Sequence, residues 1–252
     1  MPAEAKRGRE YERWLRERSV SGAAIRWAMS GAGQWLVNTP LLRLPEELRV
    51  QPEQRWLDIG CGRGGLLRLI ADRVRFAQPP VGVDFSGAAL SLGRRDLARV
   101  GQRVSLARAN ATALPFAGGS FEVVTAGYVL KHLDDGELVA TLAEVRRVLA
   151  PGGLALLWEF APSGSVRLDR WNQRWLAPAV REPRLRSTRA LVAAGRAAGF
   201  ELVRPARLRP FLLPPIPRAS VLLGRAPEGW HAGAAPERPD VSRETPAAAP
   251  TG

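Results

Sequence analysis

The chain has 252 residues, 46% of them hydrophobic, and a formal net charge of +13. That length can bury a substantial core in one α/β domain with additions but is short for two full domains, and no uninterrupted apolar run reaches the roughly 20 residues that span a bilayer. A single cysteine, Cys61, excludes an intramolecular disulfide and a cysteine-cluster metal site, and two histidines, His132 and His231, argue against a zinc enzyme.

The first 18 residues are charged throughout and lack the apolar core of a secretory signal, so a cytoplasmic protein is expected. From Tyr11 to Leu48, Trp14, Leu15, Ile25, Trp27, Ala28, Trp35 and Leu36 recur at roughly helical spacing, which predicts two or three short helices. They define an N-terminal helical cap over residues 1–50. Pro40, Pro45 and Pro52 lead into a first strand over 55–59 and a glycine-rich loop, Gly60-Cys61-Gly62-Arg63-Gly64-Gly65. Leu66, Leu67, Ile70, Ala71 and Val74 then mark one helical face. A strand over 81–84, a helix over 87–100 and a strand over 104–109 follow. Gly118-Gly119 precedes a strand over 121–126. Leu138, Leu142, Val145 and Leu149 line one face of a helix over 135–149, with Pro151-Gly152-Gly153 as its terminator and a strand over 154–160 beyond.

The segment 161–186 is rich in Trp, Arg and Pro, and Trp171 and Trp175, four apart on a predicted helix, read as packed core. A helix over 187–198 and strands over 200–207 and 219–225 complete the pattern. Seven strands alternating with helices predict an α/β fold: a doubly wound, mostly parallel, Rossmann-like sheet with helices on both faces, spanning 51–225. Residues 226–252, mostly Ala, Pro, Gly and charge, are expected to be a disordered tail.

All but two of the 37 basic residues are arginine, and they are scattered rather than gathered in a stripe interleaved with aromatic residues. A solvated basic surface is favoured over a nucleic-acid site, although RNA stays open as a partner.

Glycines at 60, 62 and 64 let a strand turn sharply into a helix and let a ligand approach the backbone. Gly60, Gly62 and Gly65 also satisfy G-x-G-x-x-G, which would suit a dinucleotide pyrophosphate and a nicotinamide-dependent oxidoreductase. Asp58 opposes that reading, because a carboxylate beside the loop repels pyrophosphate and attracts a cofactor bearing an ammonium and a sulfonium. Cys61 is a nucleophile or, as the tight turn favours, a small residue that fits. Asp84 ends the second strand, where a carboxylate accepts from ribose hydroxyls; the alternative role, a helix cap, suits Ser86 better. Asn110, at the third strand's end, reads equally as an adenine contact or a turn former.

In order along the chain, Leu57-Asp58-Ile59-Gly60-Cys61-Gly62-Arg63-Gly64, Gly82-Val83-Asp84-Phe85-Ser86, Asn110-Ala111-Thr112-Ala113-Leu114-Pro115-Phe116, Ser120-Phe121-Glu122-Val123-Val124 and Glu144 to Gly153 resemble class I S-adenosylmethionine-dependent methyltransferases of the ubiquinone/menaquinone-biosynthesis group. The resemblance covers 57–160 and weakens onward to Arg225. It implies S-adenosylmethionine as cofactor, with Asp58 and the Gly60 backbone at its amino-acid part, Cys61, Gly62 and Gly64 in the cradle, and Asp84 at the ribose. It also implies Phe85 on one adenine face, Asn110 with the Ala111 amide at the adenine edge, and the backbone near Ala126 approaching the methionyl ammonium. The family often has Asp where Asn110 stands, which implies weaker adenine discrimination here.

His132 stands where that family frequently has histidine and is the candidate catalytic base, with loop-structuring hydrogen bonding as its alternative role. Tyr128 reads as packing, or as a weaker polar contact. Trp14, Trp27, Trp35, Trp171 and Trp175 are candidates to line an apolar acceptor pocket, and arginines to hold an anionic or membrane-borne partner. The expected function is methyl transfer to a small, lipid-like or prenylated acceptor. RNA methylation, nicotinamide-dependent redox chemistry and a non-catalytic cofactor-binding partner are the alternatives. Acceptor atom, pathway and oligomeric state are not specified by these residues.

Overall fold

The computed structural model describes residues 48, 50–99, 103–176, 183–206, 208 and 217–228, leaving the side chains of 99 and 173–176 outside that description. The cap over 1–50, apart from positions 48 and 50, and the tail beyond 228 lie outside the described residues, as do Trp14, Trp27 and Trp35.

The ordered elements are β1 (Trp56–Ile59), α1 (Gly65–Ala71), β2 (Val81–Asp84), α2 (Gly87–Arg99), β3 (Ser105–Arg108), β4 (Phe121–Gly127), a 3-10 turn (Leu130–His132), α3 (Asp135–Val148), β5 (Leu149–Phe160), α4 (Val166–Leu176), α5 (Thr188–Ala197), β6 (Leu202–Pro205) and β7 (Arg218–Gly224). They form one seven-stranded sheet in the order β3-β2-β1-β4-β5-β7-β6. Strands β1 to β5 pair in parallel, while β7 runs antiparallel to both β5 and β6. The chain order reverses between β1 and β4, and in doubly wound sheets ligands bind beyond the carboxyl ends of the strands at such a switch.

Strand periodicity divides the core. Leu57 and Ile59 join Val124, Ala126, Leu138, Leu142, Val145 and Leu191 on the face covered by α3 and α5. Trp56 and Val123 point the other way and pack with Leu66, Leu67 and Ile70 of α1. Asp58 and Thr125, two positions further along β1 and β4, therefore project on the α1 side. Helix α3 starts at a reciprocal capping box: Asp134 Oδ1 accepts from the Glu137 amide at 2.9 Å, and Glu137 Oε2 accepts from the Asp134 amide at 2.7 Å.

Two expectations change. Pro151-Gly152-Gly153 does not lie beyond a helix end in a separate turn; α3 stops at Val148, and Leu149 already begins β5 by pairing with Phe121. A register shift between Phe121 and Val123, together with the positive φ of Gly152 (76°), carries this Pro-Gly-Gly segment within the strand. Trp171 is not core: it is 41% exposed, because the inward side of α4 is taken by Asn172 and Leu168. The Trp175 side chain lies outside the described residues.

Gly127 has no room for a side chain, since a Cβ there would press into the Trp158 indole, 2.8 Å from its Nε1. Gly127→Ala should lower the unfolding free energy in urea by ~1–3 kcal/mol, as overpacking does. Gly136→Ala, exposed in the first turn of α3 with only Asp134 Oδ1 nearby at 3.5 Å, should leave stability unchanged or raise it.

Candidate functional site

The glycine loop is held from three directions. The amides of Gly60 and Cys61 both donate to the Val83 carbonyl, at 2.8 and 3.0 Å, and the Gly62 amide donates to Asp84 Oδ2 at 2.8 Å. From outside, Arg63 donates to Asp96 of α2 through Nε at 2.9 Å. Gly60, Gly62 and Gly64 have φ of 70°, 55° and 74°, a region costly for residues with a Cβ. A Cβ on Gly60 would also meet Val129 at 2.8 Å. The segment leaving β4 therefore lies directly against the cradle, across the topological switch.

Two carboxylates flank this loop. Asp58 is 4% exposed, and its Oδ1 accepts from the Thr125 hydroxyl at 2.7 Å. Thr125 Oγ1 in turn accepts from Trp56 Nε1 at 2.9 Å. Burial pushes the Asp58 pKa up to about 7, the Thr125 hydrogen bond opposes that rise, and the Asp84 charge adds to it. Asp84 uses its other oxygen, Oδ1, to accept from the Ser86 amide at 2.8 Å. Burial also raises its pKa, against the amides that hold it. Ser86, as its position suggests, caps α2 by accepting from the Ala89 amide at 3.2 Å.

The remaining positions fall along the same edge. Cys61 is buried against Gly82, where a Cβ would come within 2.7 Å of its Sγ, and burial pushes its thiol pKa far up. It fills space and is not an activated nucleophile. One face of the Phe85 ring is covered by the Arg108 guanidinium, 5.4 Å from its centroid. Asn110 forms a turn: Oδ1 accepts from the Thr112 amide at 3.0 Å, and the backbone bridges to Ala113. Ala126 is fully buried in β4 opposite Ile59. His132, half-buried, closes the 3-10 turn that follows Val129.

Three residues near the edge carry no sequence signal. Thr125 is a polar residue in an apolar strand, and only strand register sets it against Asp58. Lys131 and Glu159 form a buried pair, Nζ to Oε1 at 3.5 Å. Glu159 Oε2 also accepts from the Lys131 amide at 2.9 Å, and Lys131 Nζ donates to the Tyr128 carbonyl. Tyr128 itself has φ of 57°, the one positive value outside glycine among the described residues, and its ring packs 4.6 Å from Phe160. The pair thus pins a strained turn above the loop. At the opposite, amino edge of the sheet a cleft of about 600 Å³ is lined by Arg146, Arg147 and Arg225. These arginines already serve Glu201, Glu144 and the Leu149 carbonyl, so the cleft is not an anion cradle.

The segment that carries the loop and its flanking acids is similar to known proteins. A family model described as a methyltransferase domain matches residues 57–153. The 2-phytyl-1,4-naphthoquinone methyltransferase of Thermosynechococcus vestitus is 34% identical over 129 residues, half of this chain and 56% of that protein. The demethylmenaquinone methyltransferase of Thermus thermophilus is 33% identical over 141 residues, 56% of this chain and 57% of that protein. The chain thus spans little more than half the length of these curated relatives. Among solved structures, the phosphoethanolamine N-methyltransferase 2 of Haemonchus contortus with S-adenosylhomocysteine aligns with a TM-score of 0.66 at 18% identity, covering 86% of this chain and 61% of that one. A geranyl diphosphate methyltransferase with geranyl diphosphate and sinefungin aligns with a TM-score of 0.59 at 18% identity, covering 75% and 78%. At these identities the structural likeness establishes the fold.

Glu159→Gln leaves the buried Lys131 ammonium without its anion. The Lys131 pKa, already held below its ordinary 10.5 by burial, then falls further. Below pH 10.5 the unfolded chain binds a proton that the folded chain holds less tightly, so stability is lost as pH falls toward the folded pKa. The variant should be destabilised by ~3–5 kcal/mol near neutral pH. Denaturant titrations at pH 6 and 9 should show the larger deficit at pH 6, and Lys131→Met combined with Glu159→Gln should recover much of it.

Proposed function

We propose that this chain, whose residues 57–153 match the model of a methyltransferase domain, is a class I S-adenosylmethionine-dependent methyltransferase that transfers the cofactor's methyl group by in-line displacement to an apolar small-molecule acceptor. The observation that carries this reading is the pair of carboxylates, buried Asp58 and half-buried Asp84, on either side of a loop that no Cβ can enter at Gly60. Asp58, beside the cradle, repels a pyrophosphate, whereas Asp84 suits the ribose of either cofactor. Together they suit a ligand with an ammonium at one end and a ribose diol near its middle.

Asp58 and the Gly60 backbone would hold the amino-acid end, with the backbone near Ala126 beside it. Gly62, Gly64 and Cys61 shape the cradle. Asp84 would accept from the ribose, using the lone pairs left over from its bonds to Gly62 and Ser86. Phe85 would offer adenine the ring face that Arg108 leaves open, and Asn110 Nδ2 with the Ala111 amide would meet the adenine edge. When bound, the cofactor supplies a methyl already activated by a sulfonium. The protein's task is alignment and water exclusion, which accounts for catalysis without a nucleophilic triad. His132, on the turn beyond β4, would take the proton from an acceptor hydroxyl or acidic carbon.

A prenylated quinone-type ring is the proposed acceptor class. It rests on relatives named for 2-phytyl-1,4-naphthoquinone and demethylmenaquinone, each matched over little more than half its length. Exposed Trp171, which follows Arg170 on α4, would add an apolar and cationic contact for a membrane-borne partner. Among the described residues no helix is long and apolar enough to cross a membrane. The charge of +13 keeps RNA as a second acceptor reading.

Calorimetric titration with S-adenosylhomocysteine should saturate at micromolar concentrations, and Gly62→Arg should abolish the heat. No binding by the unaltered chain would reject the methyltransferase reading. Incubation of cell extract with methyl-labelled cofactor should place label in the organic-solvent phase. Label that stays aqueous and disappears with ribonuclease would instead establish RNA as acceptor.

A further inference from the structure

Asp58 cannot do what the proposed function asks of it unless it stays ionised, and its surroundings oppose that. It is buried at the end of β1, it faces Asp84 across the loop, and Cys61 beside it is a neutral thiol. The first turn of α1 holds no acid, and Arg63 in the loop is spent on Asp96. Among the described residues, the side chain that donates to Asp58 is Thr125.

We propose that Thr125 is a positioning residue for cofactor binding, forced by Trp56 to donate its hydroxyl proton to Asp58 and so to hold that carboxylate ionised and aimed at the cradle. The proposal rests on the reading of Asp58 as the partner of the cofactor's ammonium. Its physical basis is the polarity of the chain of bonds. An indole N–H only donates, so the bond from Trp56 Nε1 at 2.9 Å occupies Thr125 Oγ1 as an acceptor and turns the hydroxyl proton elsewhere. Two acceptors are in reach: Asp58 Oδ1 at 2.7 Å and the Leu57 carbonyl at 3.5 Å. The shorter bond, to the charged group, wins. Trp56, Asp58 and Thr125 are each nearly or fully buried, so water does not compete at the threonine. The parallel register pairs Asp58 directly with Thr125, and Trp56, two residues before Asp58, shares its face of the sheet. Trp56 itself is clamped against α1's apolar face and meets Phe76 edge-on at 6.0 Å, so its N–H direction is fixed by packing.

Removing the threonine donor raises the Asp58 pKa, protonates the carboxyl near neutral pH and removes its pull on an ammonium. The loss is greatest at low pH and recovers as pH rises. A merely structural threonine predicts a loss that does not depend on pH.

The test uses the full chain and S-adenosylhomocysteine, which keeps the ammonium, titrated calorimetrically from pH 6 to 8.5. Thr125→Val should bind about tenfold or more weakly than the unaltered chain at pH 6 and within about twofold at pH 8.5. Thr125→Ser should follow the unaltered chain throughout. Trp56→Phe should shift the profile in the same direction as Thr125→Val, by less. Equal binding by Thr125→Val at every pH, or a deficit constant across the range, overturns the proposal while leaving the methyltransferase reading intact. Failure of the unaltered chain to bind at any pH overturns both. Should Thr125→Val not fold, the Trp56→Phe and Thr125→Ser profiles decide: a pH-dependent deficit in the first and none in the second supports the proposal, and any other pattern rejects it.

Discussion

Asp58 sits opposite Thr125 because β1 and β4 run parallel in a register that also sets Trp56 against Val123 and Ile59 against Ala126. A slip of one residue would turn Asp58 into the α3 side of the core, among Leu138, Leu142 and Val145, with no donor and no path to the cradle. The packing of Trp56 on α1 and of Leu57 and Ile59 on the opposite layer holds this register. The arrangement of charge at the carboxyl edge is therefore a consequence of apolar packing farther down the same strands. Strand pairing, the buried acid and the glycine turn stand or fall together.

The same edge concentrates ionic groups that a core ordinarily refuses. Asp58 and the pair Lys131–Glu159 are withdrawn from water, Asp84 is partly so, and each is answered differently. Asp58 has a side-chain donor, Asp84 has two backbone amides, and Lys131 has Glu159 together with the Tyr128 carbonyl. Backbone amides come with the turn and ask nothing further of the sequence. A side-chain donor must be supplied by another strand, so the Asp58 environment depends on Thr125, 67 residues away in the chain. The Lys131–Glu159 pair serves a mechanical end: it ties the turn after β4 to the end of β5, and that turn carries Val129 onto Gly60.

The alternation of strands and helices, the glycine loop and the order of the motifs were legible in the sequence because each is local: a period, a turn residue or a spacing. The α3 helix, the strand ending at Asp84 and the cap at Ser86 all lie where local patterns place them. Register is not local, and Thr125, Lys131 and Glu159 owe their roles to it. Trp171 misled because aromatic spacing along a helix says which residues share a face but not whether that face is covered. Pro151-Gly152-Gly153 misled because a Pro-Gly pair usually stops pairing, whereas here a register shift and one left-handed glycine let β5 begin before it. Asn110 turned out to spend its oxygen on its own turn, the local role that its place at a strand end also allowed.

The position of Cys61 has a separate use. Its sulfur is enclosed between the loop and Gly82, in the layer where β2 lies against β1, and its thiol is held protonated by burial and by the two neighbouring carboxylates. An alkylating reagent reaches it only when that layer parts, so the rate of its modification counts openings of the cradle. As the chain's sole thiol, it is a built-in clock for local breathing at the ligand edge, readable by mass alone and without any engineered label.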